Sequence, residues 1–400
     1  MKRIVTVLFL LLFSIGMLRQ SAGIGKAQAT FVVIRPDGSI DPPTAPVLRI
    51  GSVYNFLENV YASIIVQISG ITIDGQGYTL RGNRVLNSTG ILLSDVSHVT
   101  VKRLCLTDFF CAIKLSSSKN CIITDNKIIN NDFGVWVECS QENLVQENFF
   151  DNLWCGITLE YSQKNQISKN VLSRNENGIV LDWSSGNVLT ENSLTDNGSG
   201  INLAWSRENL IEGNLVKGTV KNSWQGIRLH SSSNNTVMEN IVEGTFYAVR
   251  LLYDTQRNII ARNTVTNNSF GVIAWYASNN TIYHNRFIAN KEQAKCYYST
   301  NMWDKGYPEG GNYWSSYAGV DEKSGKNQDH PGSDNIGDKP YFIDDRNVDH
   351  YPLISNSLKT SSMKPLNSVY ILAIAALTIF IGAVSFILRK RRFKLEDQRL

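Results

Sequence analysis

A line of about 22 residues is rewritten again and again along this chain. Residues 178–192 read GIVLDWSSGNVLTEN, and residues 200–214 read GINLAWSRENLIEGN. Aligning the small residue that opens each line gives Gly90, Ala112, Gly134, Gly156, Gly178, Gly200, Gly226, Ala248 and Gly271, with gaps of 22, 22, 22, 22, 22, 26, 22 and 23. A unit this short has no room for a strand, a crossover helix and two loops, but it suits three brief strands joined by bends, one lap of a coil. After each glycine, apolar residues alternate as a half-buried strand requires. Ile113, Val135, Ile157, Ile179, Ile201, Ile227, Val249 and Val272 form one column, and Leu115, Val137, Leu159, Leu181, Leu203, Leu229, Leu251 and Ala274 another. Both columns are expected to point inward, with laps stacked as parallel strands ~4.8 Å apart.

Asparagine supplies the bends. Asn126, Asn148, Asn170, Asn192, Asn214, Asn240, Asn263 and Asn285 recur once per lap, and Asn143, Asn165, Asn187, Asn209, Asn235, Asn258 and Asn280 make a second column. An inward asparagine at a bend tolerates unusual φ/ψ and bonds buried amides of its own and adjacent laps, so these residues are read as structural.

The pattern resembles the right-handed parallel β-helix repeats of the carbohydrate-binding and sugar-hydrolase group, especially the NosD-like proteins, whose founding member helps assemble the copper site of nitrous oxide reductase. The resemblance rests on VIRPDGSIDPPTAPVL and ITIDGQGYTLRG near the start, the N-x-I-x-x-N laps, and the closing GNYWSSYAGVD and GSDNIGDKPYFIDDRNVDHYPL. It implies an all-β, right-handed, single-stranded parallel β-helix of about 22 residues per coil. Residues 30–68 would begin and cap the coil, 69–300 form its repeats and 301–357 close it. Capping is also a physical necessity, since open ends expose strand edges to other chains.

The flanks place the coil outside the cytoplasm. Residues 1–29 carry a basic start, an apolar stretch and an Ala27-Gln28-Ala29 exit, the pattern of a secretory signal, with an uncleaved anchor as the alternative. After a linker at 358–368, residues 369–388 are uncharged and long enough to span a bilayer as a helix, and the basic tail 389–400 follows on the cytoplasmic side. With a net charge of +4 drawn largely from the two ends, the middle lacks the basic patch of a nucleic-acid binder. The six cysteines form no CxxC, leaving buried thiols or one or two disulfides open.

If the first and third residues after each glycine face inward, the second and fourth face out. The fourth column reads Glu138, Glu160, Asp182, Ala204, His230, Leu252 and Trp275; the fifth, at the corner, reads Cys139, Tyr161, Trp183, Trp205, Ser231, Tyr253 and Tyr276. The second includes Trp136, Arg228 and Arg250. One reading is a sugar-binding groove in which rings of Trp136, Tyr161, Trp183, Trp205, Tyr253, Trp275 and Tyr276 stack on sugars while acids bond hydroxyls or a cation. The other is a solvated strip whose rings pack on one another.

Catalysis would draw on Glu138, Glu160 and Asp182, one or two laps apart, or on Arg228 or Arg250 as the base of a polysaccharide lyase, but any stack of acids on this scaffold meets the distances of a glycosidase. Calcium has a candidate site at Asp321, Asp334, Asp338 and Asp344 in the closing segment, for which a metal-free capping turn is the alternative. Copper finds little support in five scattered histidines, and the anchor departs from the soluble periplasmic founding member. The expected job is binding of glycan or a cell-surface partner by a membrane-anchored coil. A polysaccharide lyase or glycoside hydrolase is the first alternative, a NosD-like accessory to a copper enzyme the second, and a structural surface layer a further possibility.

Overall fold

A computed structural model describes residues 31–218 and 224–354. The signal, the linker, the proposed span at 369–388 and the tail lie outside the described residues. Within them no helix is long and apolar enough to cross a membrane. The chain coils through about 11 turns of roughly 22 residues, all β, and lays down three parallel sheets of 13, 12 and 11 strands.

One lap illustrates the rest. The six-residue strand Asn177–Asp182 lies in the first sheet, Val188–Thr190 in the second and Ser193–Thr195 in the third. Register is uniform: Ile179 pairs with Ile201, Leu181 with Leu203 and Asp182 with Ala204. Both apolar columns are buried as expected, and Ile179, Leu181, Leu189 and Leu194 meet at the axis. Glycine opens the lap because the neighbouring coil is too close for a side chain. A Cβ on Gly178 would sit 2.6 Å from both the Gly200 carbonyl oxygen and the Leu194 side chain.

Each lap bends at four points, and the bends are built differently from the expectation. The left-handed residue is not the inward asparagine but the residue before it: Trp183 (φ 50°), Gly186 (63°), Glu191 (55°) and Asp196 (55°) precede Ser184, Asn187, Asn192 and Asn197. A left-handed φ swings the next side chain into the interior, where a short polar group is needed to hold the bend. Asn187 donates from its backbone N–H to Asn209 Oδ1 (2.9 Å) and from Nδ2 to Ser162 O (3.1 Å) and Asn209 Oδ1 (3.0 Å). Its own Oδ1 accepts from the N–H and the Nδ2 of Asn165. Two further columns escaped the sequence reading, one of serine (Ser140, Ser162, Ser184, Ser206) and one of asparagine (Asn131, Asn175, Asn197, Asn268).

The ends terminate these ladders. At the start, Val47–Ile50 pairs antiparallel with Val53–Phe56, and Ile40–Asp41 with Phe31–Ile34. At the far end Trp314 stacks between Phe287 (4.5 Å) and Tyr341 (4.3 Å). Asn301 donates to Asn347 Oδ1, and the Asn312 N–H and Trp314 Nε1 donate to Asp349 Oδ2, so Asp349 stands as the last rung of its column. Burial pushes the Asp349 carboxyl up to about 7. All six cysteines are free thiols.

Candidate functional site: a trough on the first sheet

The outward side chains of the long strands form the floor of a trough, because residues that leave the sheet on its outer side are nonetheless shielded. Asn202 is only 8% exposed and Ile273 5%. Two rows of aromatic side chains flank the floor, the second interrupted at Asn177 and Ser199.

The first wall is the corner column. Tyr161 stacks on Trp183 (6.4 Å, 17°) and Trp183 on Trp205 (5.3 Å, 10°). Through His230 the row continues to Tyr253, Tyr276 and Tyr298. The tyrosines and tryptophans of this row sit in the left-handed bend, so their rings leave the corner one above another at the lap spacing, while His230 fills in from the end of its strand on the lap whose corner residue is Ser231. The near-parallel rings turn their faces toward each other, and it is ring edges that border the floor. Trp275 lies outside this row, against Tyr297 (5.3 Å).

The second wall was missed by the sequence reading. It comes from aromatics one or two positions before the lap glycine: Trp224 stacks on Phe246 (5.0 Å, 3°), with Tyr247 and Phe270 against them. The signal is present in the sequence, since Phe133, Trp154, Trp224 and Phe270 all precede a lap glycine, but it does not recur on every lap as the columns after the glycine do. Trp136 belongs to this side and not to the corner row. It stacks on Phe133 (4.9 Å), carries the Lys114 ammonium 4.4 Å over its ring, and packs with Cys111 and Cys155.

Between the walls the floor changes character along the axis. Glu138 is neutralised by Lys114 (3.0 Å) and accepts from the Ser116 hydroxyl, which separates it from the other two acids. Glu160 and Asp182 are register partners. Burial, then the charge of Glu160, pushes Asp182 up to about 6. On later laps Arg228 donates to His230 Nδ1 (3.0 Å), and Arg250 lies over the Tyr247 ring at 4.7 Å. Burial and the two arginines push His230 down to about 4, so that it is a neutral acceptor. Four buried polar atoms of this floor have no partner: Asp182 Oδ1, Asn202 Oδ1, Arg228 Nε and Arg250 Nε. They lie on four consecutive strands, from Asn177–Asp182 to Tyr247–Leu252. The floor turns apolar at Leu252, on the strand of Arg250, and at Ile273 on the next.

The carboxylates of the closing segment are engaged in bracing loops. Asp321 accepts from the N–H groups of Asp334 and Asn335, and Asp338 from those of Glu322 and Lys323. Asp334 accepts from the N–H groups of Gly325 and Ile336, while Asp344 is bound to Arg346 and Asn347 in a separate hairpin. Among the described residues no three of His, Cys, Asp and Glu gather in a group that could hold a metal ion. Among the described residues the side chains thus offer no set of converging nitrogen or sulfur donors of the kind a copper centre calls for.

Residues 155–319 match the family model described as periplasmic copper-binding protein (NosD), and residues 69–216 match the right-handed β-helix region. No curated protein matches the chain. Among solved structures, a periplasmic alginate epimerase is 16% identical over 64% of this chain and 69% of its own, with a TM-score of 0.51. PfbA, a surface adhesin of Streptococcus pneumoniae, is 12% identical over 76% and 90% (TM-score 0.47). The tailspike protein of an E. coli bacteriophage, solved with a pentasaccharide, is 11% identical over 70% and 62% (TM-score 0.46). At such identities the epimerase shares the fold and no more. Matched by the NosD model over residues 155–319 and by the β-helix model over 69–216, the chain is a right-handed parallel β-helix with NosD-like repeats.

Proposed function

We propose that the protein binds a glycan in the trough of the first sheet, on the extracytoplasmic side of the membrane. The observation that carries this reading is the run of four unpartnered polar atoms, Asp182 Oδ1, Asn202 Oδ1, Arg228 Nε and Arg250 Nε, on consecutive laps. A buried polar atom left unbonded costs about 1–3 kcal/mol, and a ligand with a hydroxyl or anionic group at each lap would recover that cost. The faces of the walls are stacked on one another, so their edges would shield a bound sugar from water without stacking on it. Support also comes from the shared fold of a periplasmic alginate epimerase and from a family described as periplasmic. The span at 369–388 would hold the coil at the membrane surface. Titrating the protein against a panel of oligosaccharides tests the reading: Asn202→Ala and Asp182→Asn should each weaken binding several-fold, and a panel without any binder would end it.

One observation favours a second reading. Asp182 retains its proton to about pH 6 beside Glu160, one lap or ~5 Å away, which is the pairing of acid and carboxylate that retaining glycosidases use. New reducing ends released from a bound polymer, and lost in Glu160→Gln, would establish hydrolysis; an intact polymer after prolonged incubation would exclude it.

A further inference from the structure

The floor of the trough is electrically lopsided. Glu160 and Asp182 lie at one end and Arg228 and Arg250 at the other, with Asn202 and Ala204 on the lap between. Arg228 and Arg250 are register partners on neighbouring strands, so their backbones are ~4.8 Å apart and both side chains leave the sheet on the same face. Among the described residues neither has a carboxylate within ion-pair distance, in contrast to Lys114, which meets Glu138 on the same face. Their bonds are to neutral groups: Arg228 Nη2 to His230, and Arg250 Nη1 to Gln225 Oε1 at 3.4 Å. Each Nε is buried and unbonded. Two like charges are thus held side by side, partly out of water, without a counter-ion, an arrangement that destabilises the empty protein and favours an anion.

We infer that Arg228 and Arg250 together hold an anionic substituent of the ligand, so that the trough takes an acidic glycan carrying uronate carboxylates or sulfate esters. This rests on the glycan reading of the same trough. The guanidinium fork matches the paired oxygens of either group. A free anion would leave Asn202 Oδ1 and Asp182 Oδ1 unmet, because both need donors; hydroxyls of the adjoining sugar units supply them. A nucleic acid, with a phosphate on every unit, would bring negative charge against Glu160 and Asp182. The ligand therefore carries its charge at one position and hydroxyls at the next.

The test uses the purified protein and three oligosaccharides of equal length: one with a single uronate among neutral units, one with a single sulfate ester among neutral units, and a neutral one. One acidic probe should bind at least about ten times more tightly than the neutral one, and the better of the two identifies carboxylate or sulfate. Arg228→Gln and Arg250→Gln should each lose about ten-fold, and the double variant should bind acidic and neutral probes alike. Lys169→Gln, an exposed lysine at another corner, should change nothing. Because the arginines repel one another, the Arg228→Gln variant should melt no lower than the parent. Equal affinity for neutral and acidic probes, unchanged in the arginine variants, would overturn the inference and leave the glycan reading standing. Absence of binding to all three would remove both. Lower melting temperatures with unchanged affinity would make the arginines structural, and equal competition by single-stranded DNA would reduce the effect to bulk charge.

Discussion

Asn187 and Asn202 lie on adjacent laps, both are buried, and they have opposite hydrogen-bonding states. Asn187, inside the coil, uses both amide hydrogens and accepts twice at Oδ1. Asn202, on the trough floor, makes one long bond to Asn177 Oδ1 (3.3 Å) and leaves its own Oδ1 without a donor. A saturated polar group in a core is explained by folding, since an unmet one would be selected against. An unsaturated one on the outer face, still only 8% exposed, has no such explanation and points to something the protein holds. The interior ladders and the trough floor thus divide one residue type into two roles.

Breaking an interior rung should have the largest effect. Asn192→Leu keeps the branching of the side chain, though it is bulkier, and removes the acceptor for the Asn170 N–H and Nδ2 and the donor to Ile167 O; it should cost about 3 kcal/mol or more in urea denaturation. A cost below about 1 kcal/mol would erase the distinction between the two regions.

Next comes the pH dependence of the floor, where two groups oppose each other. Asp182 is raised from 3.8 to about 6, so the folded state binds the extra proton, and this contribution to stability is present below about pH 4 and lost as pH rises through 6. His230 is lowered from 6.5 to about 4, so its contribution is present above 6.5 and lost as pH falls through 4. Between pH 4 and 6 the two slopes have opposite signs. Relative to the parent, Asp182→Asn should gain stability as pH rises through that window and His230→Gln should lose it; parallel curves for all three proteins would show that neither group is perturbed.

Smaller still is the strain of the corner. Trp183 is 52% exposed and left-handed, so both Trp183→Gly and Trp183→Ala lose the stacking on Trp205, but glycine escapes the left-handed penalty. The glycine variant should be the more stable by about 1 kcal/mol. Smallest is Asn202→Ala, expected to change stability by less than about 1 kcal/mol while weakening the glycan complex. A larger loss would mean that Asn202 is a structural rung facing the wrong way.

The lap was legible because its cause is periodic. A coil must bury the same positions every turn, so Ile179 and Leu181 repeat and can be counted. The four left-handed bends were not legible, since Trp183, Glu191 and Asp196 share no chemistry and adopt that conformation because the laps on either side bond their backbones. The outward columns were found by alternation, yet their pairing was not. That Lys114 removes Glu138 from the acid column, and that the corner rings spend their faces on one another, depends on neighbours two dozen residues away. The second wall was visible as aromatics before the lap glycine, but only the geometry of a trough gives that position a meaning.

Because each lap advances the chain by the same ~4.8 Å, the outer face is graduated like a ruler, and Glu160, Asp182, Asn202, Arg228 and Arg250 mark its successive divisions. A polymer lying along it is compared with a fixed scale, and any mismatch between its repeat and the divisions grows with each lap it crosses. Discrimination then comes from how many marks are occupied together, not from the strength of any one. Inserting or deleting a single lap between Asp182 and Arg228 would move the acidic mark against the cationic pair by one whole division while leaving both intact, which makes the spacing of the site a quantity that changes in steps.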